Sequence, residues 1–120
     1  MTGETGSNGG RDRTRFPADE IGDKLYQAML RGRSPDKEQD IDFAFLFAKK
    51  LDAEAFAARL RDGGDVPEIE HLPEEEGEIE EWEVLVTRDM DPSYGNVKSA
   101  LDELTALAHN HYGKLAYWVP

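Results

Sequence analysis

The chain has 120 residues, enough for one small domain, and its 26 acidic against 14 basic residues give a formal net charge of −12. A chain this acidic is repelled by phosphate backbones and anionic lipid, which argues against direct nucleic-acid binding and membrane docking as its main activity. It contains no cysteine, so disulfides, thiolate zinc sites and cysteine nucleophiles are excluded as well. We therefore expect a cytoplasmic, acidic, single-domain protein.

The N-terminal part of the chain predicts a tail followed by a helix. Residues 1–15 are small, polar and Gly-rich without apolar periodicity, a composition typical of disordered segments. Residues 16–120 form the predicted domain, which begins with a helix over residues 17–31. Pro17 suits the first helical position, and the apolar residues recur at helical spacing. These apolar residues are Ile21, Leu25, Tyr26, Met29 and Leu30.

Four strands and two further helices are predicted after this helix. Residues 40–48 alternate large apolar side chains with smaller or polar ones, which predicts a half-buried strand. Asp52 is the expected N-cap of the next helix, with Leu51 and Phe56 packed together across the cap. Pro67 restricts the following strand to a sheet edge. The predicted strands are 40–48, 66–71, 81–88 and 114–119, and the predicted helices are 53–62 and 92–112, the latter capped by Asp91 or Ser93 and ended by Gly113.

Without the first helix, the order strand, helix, strand, strand, helix, strand is that of the ferredoxin-like split β-α-β. We therefore predict an α+β fold in which two helices cover one face of a four-stranded antiparallel sheet. The opposite face is expected to be open and apolar, since it would carry Ala44, Leu46, Leu85 and Trp118. The amphipathic helix at 17–31 is the predicted cover of that face.

The net charge is concentrated in one segment. Residues 65–88 hold ten acids and one base, Arg88, for a charge of −9. One interpretation is a solvated, self-repelling loop, and the other is a recognition surface for a basic protein partner. The candidate partner-binding residues are Glu74, Glu75, Glu76, Glu78, Glu80, Glu81 and Trp118.

No set of residues indicates catalysis or cofactor binding. His109 and His111 are two positions apart and do not share a helical face, and His71 lies within the acidic segment. No serine lies in a Gly-x-Ser-x-Gly motif, and the Gly-Gly pairs lack the spacing and lysine of a phosphate loop. We predict a non-catalytic protein without cofactor or metal. Trp82 is predicted in the core, whereas Trp118 suits either core or interface.

The second half of the chain follows a recognisable pattern. A Trp-containing strand leads to a Pro-Ser helix start, a Leu- and Ala-rich helix, a glycine and a short strand with a second Trp. The positions that carry this pattern are Trp82, Pro92, Ser93, Leu104, Ala108, Gly113 and Trp118. The pattern resembles the regulator of ribonuclease E activity B family, also called ribonuclease E inhibitor protein B. The phenylalanine-rich strand and the first helix fit as well, so the resemblance covers residues 17–119.

The resemblance implies a cytoplasmic, non-enzymatic regulator that binds ribonuclease E, reduces RNA cleavage and so alters messenger RNA turnover. The final strand departs from the family, because residues 115–119 (LAYWV) keep only the Trp of the family's Tyr-Asp-Gly-Trp-Gly. Two other functions fit the composition: a small-molecule-sensing ferredoxin-like module, and an immunity-type or nucleic-acid-mimic inhibitor of another basic partner. The sensor hypothesis predicts a concave pocket. The ribonuclease E regulator and the inhibitor of another basic partner both predict a macromolecular partner and binding that depends steeply on salt concentration.

Overall fold

Seven helices and strands follow one another in residues 11–120, the part of the chain that the computed structural model describes. They are α1 (Glu20–Leu30), β1 (Gln39–Phe47), α2 (Lys50–Asp62), β2 (Glu68–Leu72), β3 (Glu81–Met90), α3 (Tyr94–Asn110) and β4 (Gly113–Val119). Every predicted helix and strand occurs in this order, with ends shifted by at most three residues. Most of the predicted tail, residues 1–10, lies outside the described residues.

The four strands form one antiparallel sheet in the order β2-β3-β1-β4. β1 and β3 occupy the centre, with Phe43 opposite Val86, and β2 and β4 are the edges. The chain passes from β1 to β2 through α2 and from β3 to β4 through α3, so each connection crosses the strand between them. The predicted α+β fold is confirmed, and the strand order matches the ferredoxin-like arrangement.

The core lies between one face of the sheet and the helices. Ile41, Phe43, Phe45 and Phe47 reach it from β1, and each is at most 1% exposed. The ring of Phe56 in α2 packs against two of them, with centroids 5.3 Å from Phe45 and 5.1 Å from Phe47. Burying each of these side chains contributes roughly 1.5–3 kcal/mol. The two later helices contribute their apolar faces to the same core: Ala53, Phe56, Ala57 and Leu60 in α2, and Val97, Leu101, Leu104 and Ala108 in α3.

α2 begins earlier than its predicted cap. Lys49 is the N-cap and makes no side-chain capping hydrogen bond, so the prediction that Asp52 caps this helix is wrong. Asp52 lies in the first turn, where its charge favours the positive end of the helix dipole. Leu51 is then inside the helix, five residues before Phe56 and about 140° away around the axis. It is 77% exposed, so the predicted contact between Leu51 and Phe56 is also wrong.

α1 packs on the same side of the sheet as α2 and α3. Its Leu25 is buried in the common core, and its N-cap Asp19 accepts a hydrogen bond from the Tyr94 hydroxyl at the start of α3. Lys24 donates to the carbonyl of Trp118 and lies over the indole, 4.5 Å from the ring centroid. The prediction that this helix covers the opposite face is therefore wrong, because its apolar stripe completes the core beside α3 and β4.

The chain immediately before α1 is attached to that helix. Arg11 forms an ion pair with Asp23 at 2.7 Å and donates hydrogen bonds to the carbonyls of Phe16 and Pro17. The ring of Phe16 is buried in the core. The composition of residues 11–15 predicts a tail, but Arg11 within this segment directly contacts the folded part of the chain.

A β-bulge in β4 decides which face carries Trp118. The pairing of β1 with β4 shifts between Ala44 and Phe45, so that Ala44 is opposite Tyr117 while Phe45 is opposite Leu115. Leu115 and Trp118 therefore both face the core, and Trp118 is 3% exposed. The predicted position of Trp118 on the open face is wrong, because one extra residue reverses the strict alternation of side chains.

The two ends of α3 are formed by different means. Ser93, one of the two predicted caps, is the N-cap and accepts a hydrogen bond from the backbone N–H of Asn96 at 3.4 Å. At the other end, Tyr112 takes the left-handed φ of 66°, and Gly113 is the first residue of β4 rather than the end of the helix. A Cβ on Gly113 would overlap the ring of Phe47. Glycine is thus required there by close packing, not by turn geometry.

Replacing Gly113 with alanine is expected to destabilise the fold by about 1–3 kcal/mol, because the added methyl group displaces the packed ring of Phe47. Gly95→Ala, in the first turn of α3, is the matched control, since a Cβ there meets no atom within 4 Å. Urea unfolding measures both variants. A Gly113→Ala protein as stable as wild type would contradict the close approach of β4 to Phe47.

Candidate functional site

The connection between β2 and β3 carries a group of exposed carboxylates. We call residues 74–80 the acidic hairpin. Backbone hydrogen bonds in both directions between Glu75 and Glu78, at 3.3 and 2.9 Å, close its turn. Gly77 takes the left-handed φ of 79° that this turn requires. Its exposed glutamates are Glu74, Glu75, Glu76, Glu78 and Glu80, and Glu81 follows as the first residue of β3.

Arg88, the one base in residues 65–88, is held away from the acidic hairpin. Its Nε and Nη2 donate to the two carboxylate oxygens of Asp65 at 3.1 and 2.8 Å. Its Nη1 donates to Glu103 of α3 at 3.4 Å. The hydrogen bond to Asp65, more than any other cause, raises the pKa of Arg88 above its ordinary value. The guanidinium is thus already paired with Asp65, and it lies on the helix side of the sheet.

His71 is the second residue that contacts a carboxylate of residues 65–88. Its Nε2 lies 2.8 Å from a carboxylate oxygen of Glu80, and its ring stacks on Trp82 with centroids 4.9 Å apart. Trp82 packs against the edge of the core and is half-buried. Of the ten carboxylates in residues 65–88, only Asp65 is paired with an arginine and only Glu80 with a histidine within the described chain. The other eight therefore leave an unneutralised negative potential.

The face of the sheet opposite the helices has no covering element in residues 11–120, and we call it the open face. Cross-strand register places Leu85, Ala44 and Tyr117 side by side on β3, β1 and β4. Leu46 and Val119 lie on either side of this row. These five residues form an apolar patch, in which Tyr117 and Val119 are 44% and 48% exposed, Leu46 and Leu85 are half-buried and Ala44 is buried.

Carboxylates surround the apolar patch. Asp42 lies on one side of it and accepts a hydrogen bond from Thr87 at 2.6 Å. Glu70 and Glu83, which are direct cross-strand partners, lie on the other side. The acidic residues of the open face are Asp40, Asp42, Glu68, Glu70, Glu81, Glu83 and Asp89, and its basic residue is Lys114.

Burial, and after it the charge of the open face, shifts the pKa of two groups on this face. Burial and then repulsion from Glu70 raise the pKa of Glu83 above its ordinary value. Burial, followed by the carboxylates of Glu83, Asp42 and Glu70, raises the pKa of the Tyr117 phenol. Like charges directly opposite each other on neighbouring strands destabilise a sheet. A cation placed on this face would relieve that repulsion.

The acidic hairpin and the open face form one continuous acidic surface, because β2 and β3 carry glutamates from the hairpin onto the sheet. Glu81 and Glu83 follow the hairpin along β3, and Glu70 precedes it on β2. Trp118 is not brought together with them. It lies on the core side of β4, at the opposite edge of the sheet from β2, and contributes to the core.

Sequence reasoning missed several residues of this surface. Strict alternation in β4 places Tyr117 and Val119 on the face opposite Trp118, so a prediction with Trp118 on the open face leaves them out; the bulge that reverses this arrangement is not visible in the sequence. The alternation of β1 already places Asp42 with Ala44 and Leu46 on the face opposite Ile41, and the same alternation in β2 places Glu70 opposite Ile69. The sequence signal for those two acids was therefore present.

A groove of about 810 Å³ lies on the helix side, between the end of β3, α3 and the loop after α2. Its lining includes Arg88, Asp65, Glu103, Asn96 and Ser99. Since the guanidinium already donates to both acids, the groove offers no unpaired cation to an acidic ligand. Within the described chain, no group of three or more His, Asp or Glu is placed to hold a metal ion. None of its helices has the length and apolar character needed to cross a bilayer.

The family model described as regulator of ribonuclease activity B matches residues 19–118. The match contains all three helices and the four strands except Val119, which is nearly the whole chain. It confirms the family resemblance drawn from residues 17–119. No curated protein sequence matches the chain.

Replacing Glu83 with glutamine is expected to stabilise the protein at neutral pH. Because the pKa of Glu83 is raised in the folded state, that state binds more protons than the unfolded chain from pH 4.5 up to the folded pKa, and wild-type stability falls as pH rises through this window. Glu83→Gln removes this loss. After allowance for solvent screening, the gain at pH 7 is expected to be about 0.2–1 kcal/mol.

Urea unfolding at pH 7 and at about pH 3.5 tests this expectation, because the gain should disappear when the wild-type carboxyl is protonated. Glu74→Gln in the exposed acidic hairpin is the control and should change the free energy of unfolding by less than about 0.5 kcal/mol. A Glu83→Gln protein less stable than wild type at pH 7, or equally stabilised at both pH values, would contradict the electrostatic account.

Proposed function

The chain belongs to the regulator of ribonuclease activity B family, and we propose that it acts as a non-catalytic, acidic protein that binds ribonuclease E. Binding would reduce RNA cleavage and so slow messenger RNA turnover. The observation that carries the proposal is the continuous acidic surface of the acidic hairpin and the open face. A ribonuclease needs basic segments to hold RNA, and an acidic surface complements such segments.

Charge favours a protein partner over RNA. The chain has a net charge of −12, and eight carboxylates of residues 65–88 have no ion-pair partner within the described chain. Phosphates would be repelled by this surface, whereas a cationic protein segment would be attracted from a distance and steered toward it. A ribonuclease partner and the lack of cysteine both support a cytoplasmic location.

Two residues of types common in catalytic sites, His71 and Ser93, make structural contacts instead. His71 is held between Glu80 and Trp82, and Ser93 caps α3. These contacts support a regulator that changes the activity of its partner without chemistry of its own.

The same acidic surface would also complement another basic RNA-processing protein or a toxin, as in an immunity-type or nucleic-acid-mimic inhibitor. This alternative shares the charge argument and differs only in the partner, so a binding experiment decides between them. The small-molecule alternative predicts a concave pocket, and the groove on the helix side is one such feature, with Asn96 and Ser99 in its lining. Its guanidinium is already paired with Asp65 and Glu103, so the groove gives less support to an acidic ligand.

Reducing the charge of the acidic hairpin is expected to slow association with ribonuclease E. A variant with Glu74, Glu75, Glu76 and Glu78 replaced by glutamine loses four charges at exposed positions, so the fold is expected to persist. Its association rate constant should fall about tenfold at low salt and respond less to added salt, whereas the dissociation rate should change less. Binding kinetics with purified ribonuclease E at several ionic strengths measure both constants.

The matched control removes four charges elsewhere, with Glu20, Glu38 and Glu54 replaced by glutamine and Asp62 by asparagine. These residues are exposed and have no ion-pair partner among residues 11–120. The two variants carry the same net charge, so a difference between them reports local charge. Equal rates and salt slopes for both would assign the acidic hairpin to solubility. Absence of wild-type binding to ribonuclease E would reject it as the partner.

A further inference from the structure

The open face has an apolar patch but no layer against it in residues 11–120. All three helices pack on the other side of the sheet, where they share one core. A sheet normally buries its apolar side chains against a second layer, so an exposed patch calls for an occupant. Residues 1–10 contain Met1 as their one large apolar residue, which is too little to supply a matching apolar surface.

Both edges of the sheet are protected against an added strand. On β4, the bulge interrupts the ladder, Lys24 donates to the carbonyl of Trp118, and Pro120 follows the strand. β2 is only five residues long, begins just after Pro67, and carries Glu70. Short, charged, bulged or proline-flanked edges resist pairing with another chain. An occupant must therefore lie on the face and satisfy its own backbone hydrogen bonds, as a helix does.

Charge selects among the possible occupants. The open face carries seven carboxylates and one lysine. A second copy of this chain would bring the same negative charges onto it, and RNA or an anionic membrane would bring phosphates. A cationic helix instead meets Asp42 on one side of the apolar patch and Glu70 with Glu83 on the other.

We propose that the open face binds an amphipathic, Arg- and Lys-rich helical segment of the partner protein. Apolar side chains on one face of that helix pack on Leu85 and Tyr117, and its flanking cations reach Asp42 and the Glu70–Glu83 pair. From β3 to β4 the patch crosses two strand spacings, about 10 Å, which is also the rise of about two helical turns. This docking proposal rests on the proposed function in one respect only, which is that the partner is a ribonuclease.

Repulsion between carboxylates of the open face allows a binding role of these residues to be distinguished from a structural one. Glu70 and Glu83 oppose each other across β2 and β3, so neutralising them removes their repulsion and stabilises the free protein. The same change removes the charges that the partner's cations would meet. Stability and binding should therefore move in opposite directions, whereas the loss of a merely structural residue would lower both.

The test uses the full chain and a synthetic helical peptide of about 14 residues, with leucines at i, i+4 and i+7 and arginines on both sides of that stripe. Titration into isotope-labelled protein should shift the amide NMR signals around Leu46, Leu85 and Tyr117. Replacing Glu70 and Glu83 together by glutamine should weaken peptide binding about tenfold. The same double variant should unfold at a higher urea concentration than wild type.

Matched controls separate a docking site from diffuse attraction. Glu75→Gln with Glu76→Gln removes equal charge from the acidic hairpin and should weaken peptide binding about twofold or less. Tyr117→Ser removes apolar contact without changing charge and should weaken binding about fivefold. A peptide of the same composition without the leucine stripe should lose the shifts. Shifts confined to the acidic hairpin or the helices, or equal weakening by both double variants, would overturn the proposal.

Ribonuclease E in place of the peptide separates this proposal from the proposed function. If wild type binds the enzyme and the variant of Glu70 and Glu83 binds it equally well, the proposed function stands and the docking proposal is wrong. If wild type does not bind the enzyme but the peptide occupies the open face, the docking proposal stands and ribonuclease E is not the partner.

Discussion

The burial of the β1 side chains is the interaction on which the rest of the structure depends. Ile41, Phe43, Phe45 and Phe47 all leave the same face of a central strand and are almost fully excluded from water. Residues from all three helices join the core that these side chains form. Because the largest apolar side chains of the sheet are on one side, the helices gather there, and the other side is left to solvent or to a partner.

The family pattern is carried by residues that hold this core together. Pro92 is buried, Ser93 caps α3, Gly113 allows close packing on Phe47, and Trp118 is buried under α1. Such positions identify the fold and say little about where a partner binds. In the final strand, Tyr117 and Val119 stand where the family pattern has glycines, and both are exposed on the open face. The apolar patch thus depends on residues by which this chain departs from that pattern.

Repulsion between carboxylates of the acidic surface destabilises the sheet on which they lie. Glu70 and Glu83 are direct cross-strand partners, and Arg88 is bound to Asp65 on the opposite side. A fold selected only for stability would place opposite charges at such a pair. Departures of this kind are expected where a surface serves recognition, since binding can recover what the free protein loses.

The sequence by itself determined the elements and their order. Alternation in β1, the Ser93 cap and the run of glutamates each depend on neighbours along the chain, so local physics was sufficient to predict the strand, the helix start and the acidic hairpin. Tertiary structure decided the side on which α1 packs and the face that Trp118 occupies. An amphipathic helix has an apolar stripe that fits either face of a sheet. A single bulged residue in β4 reverses the direction of every later side chain, and only its pairing with β1 reveals that shift.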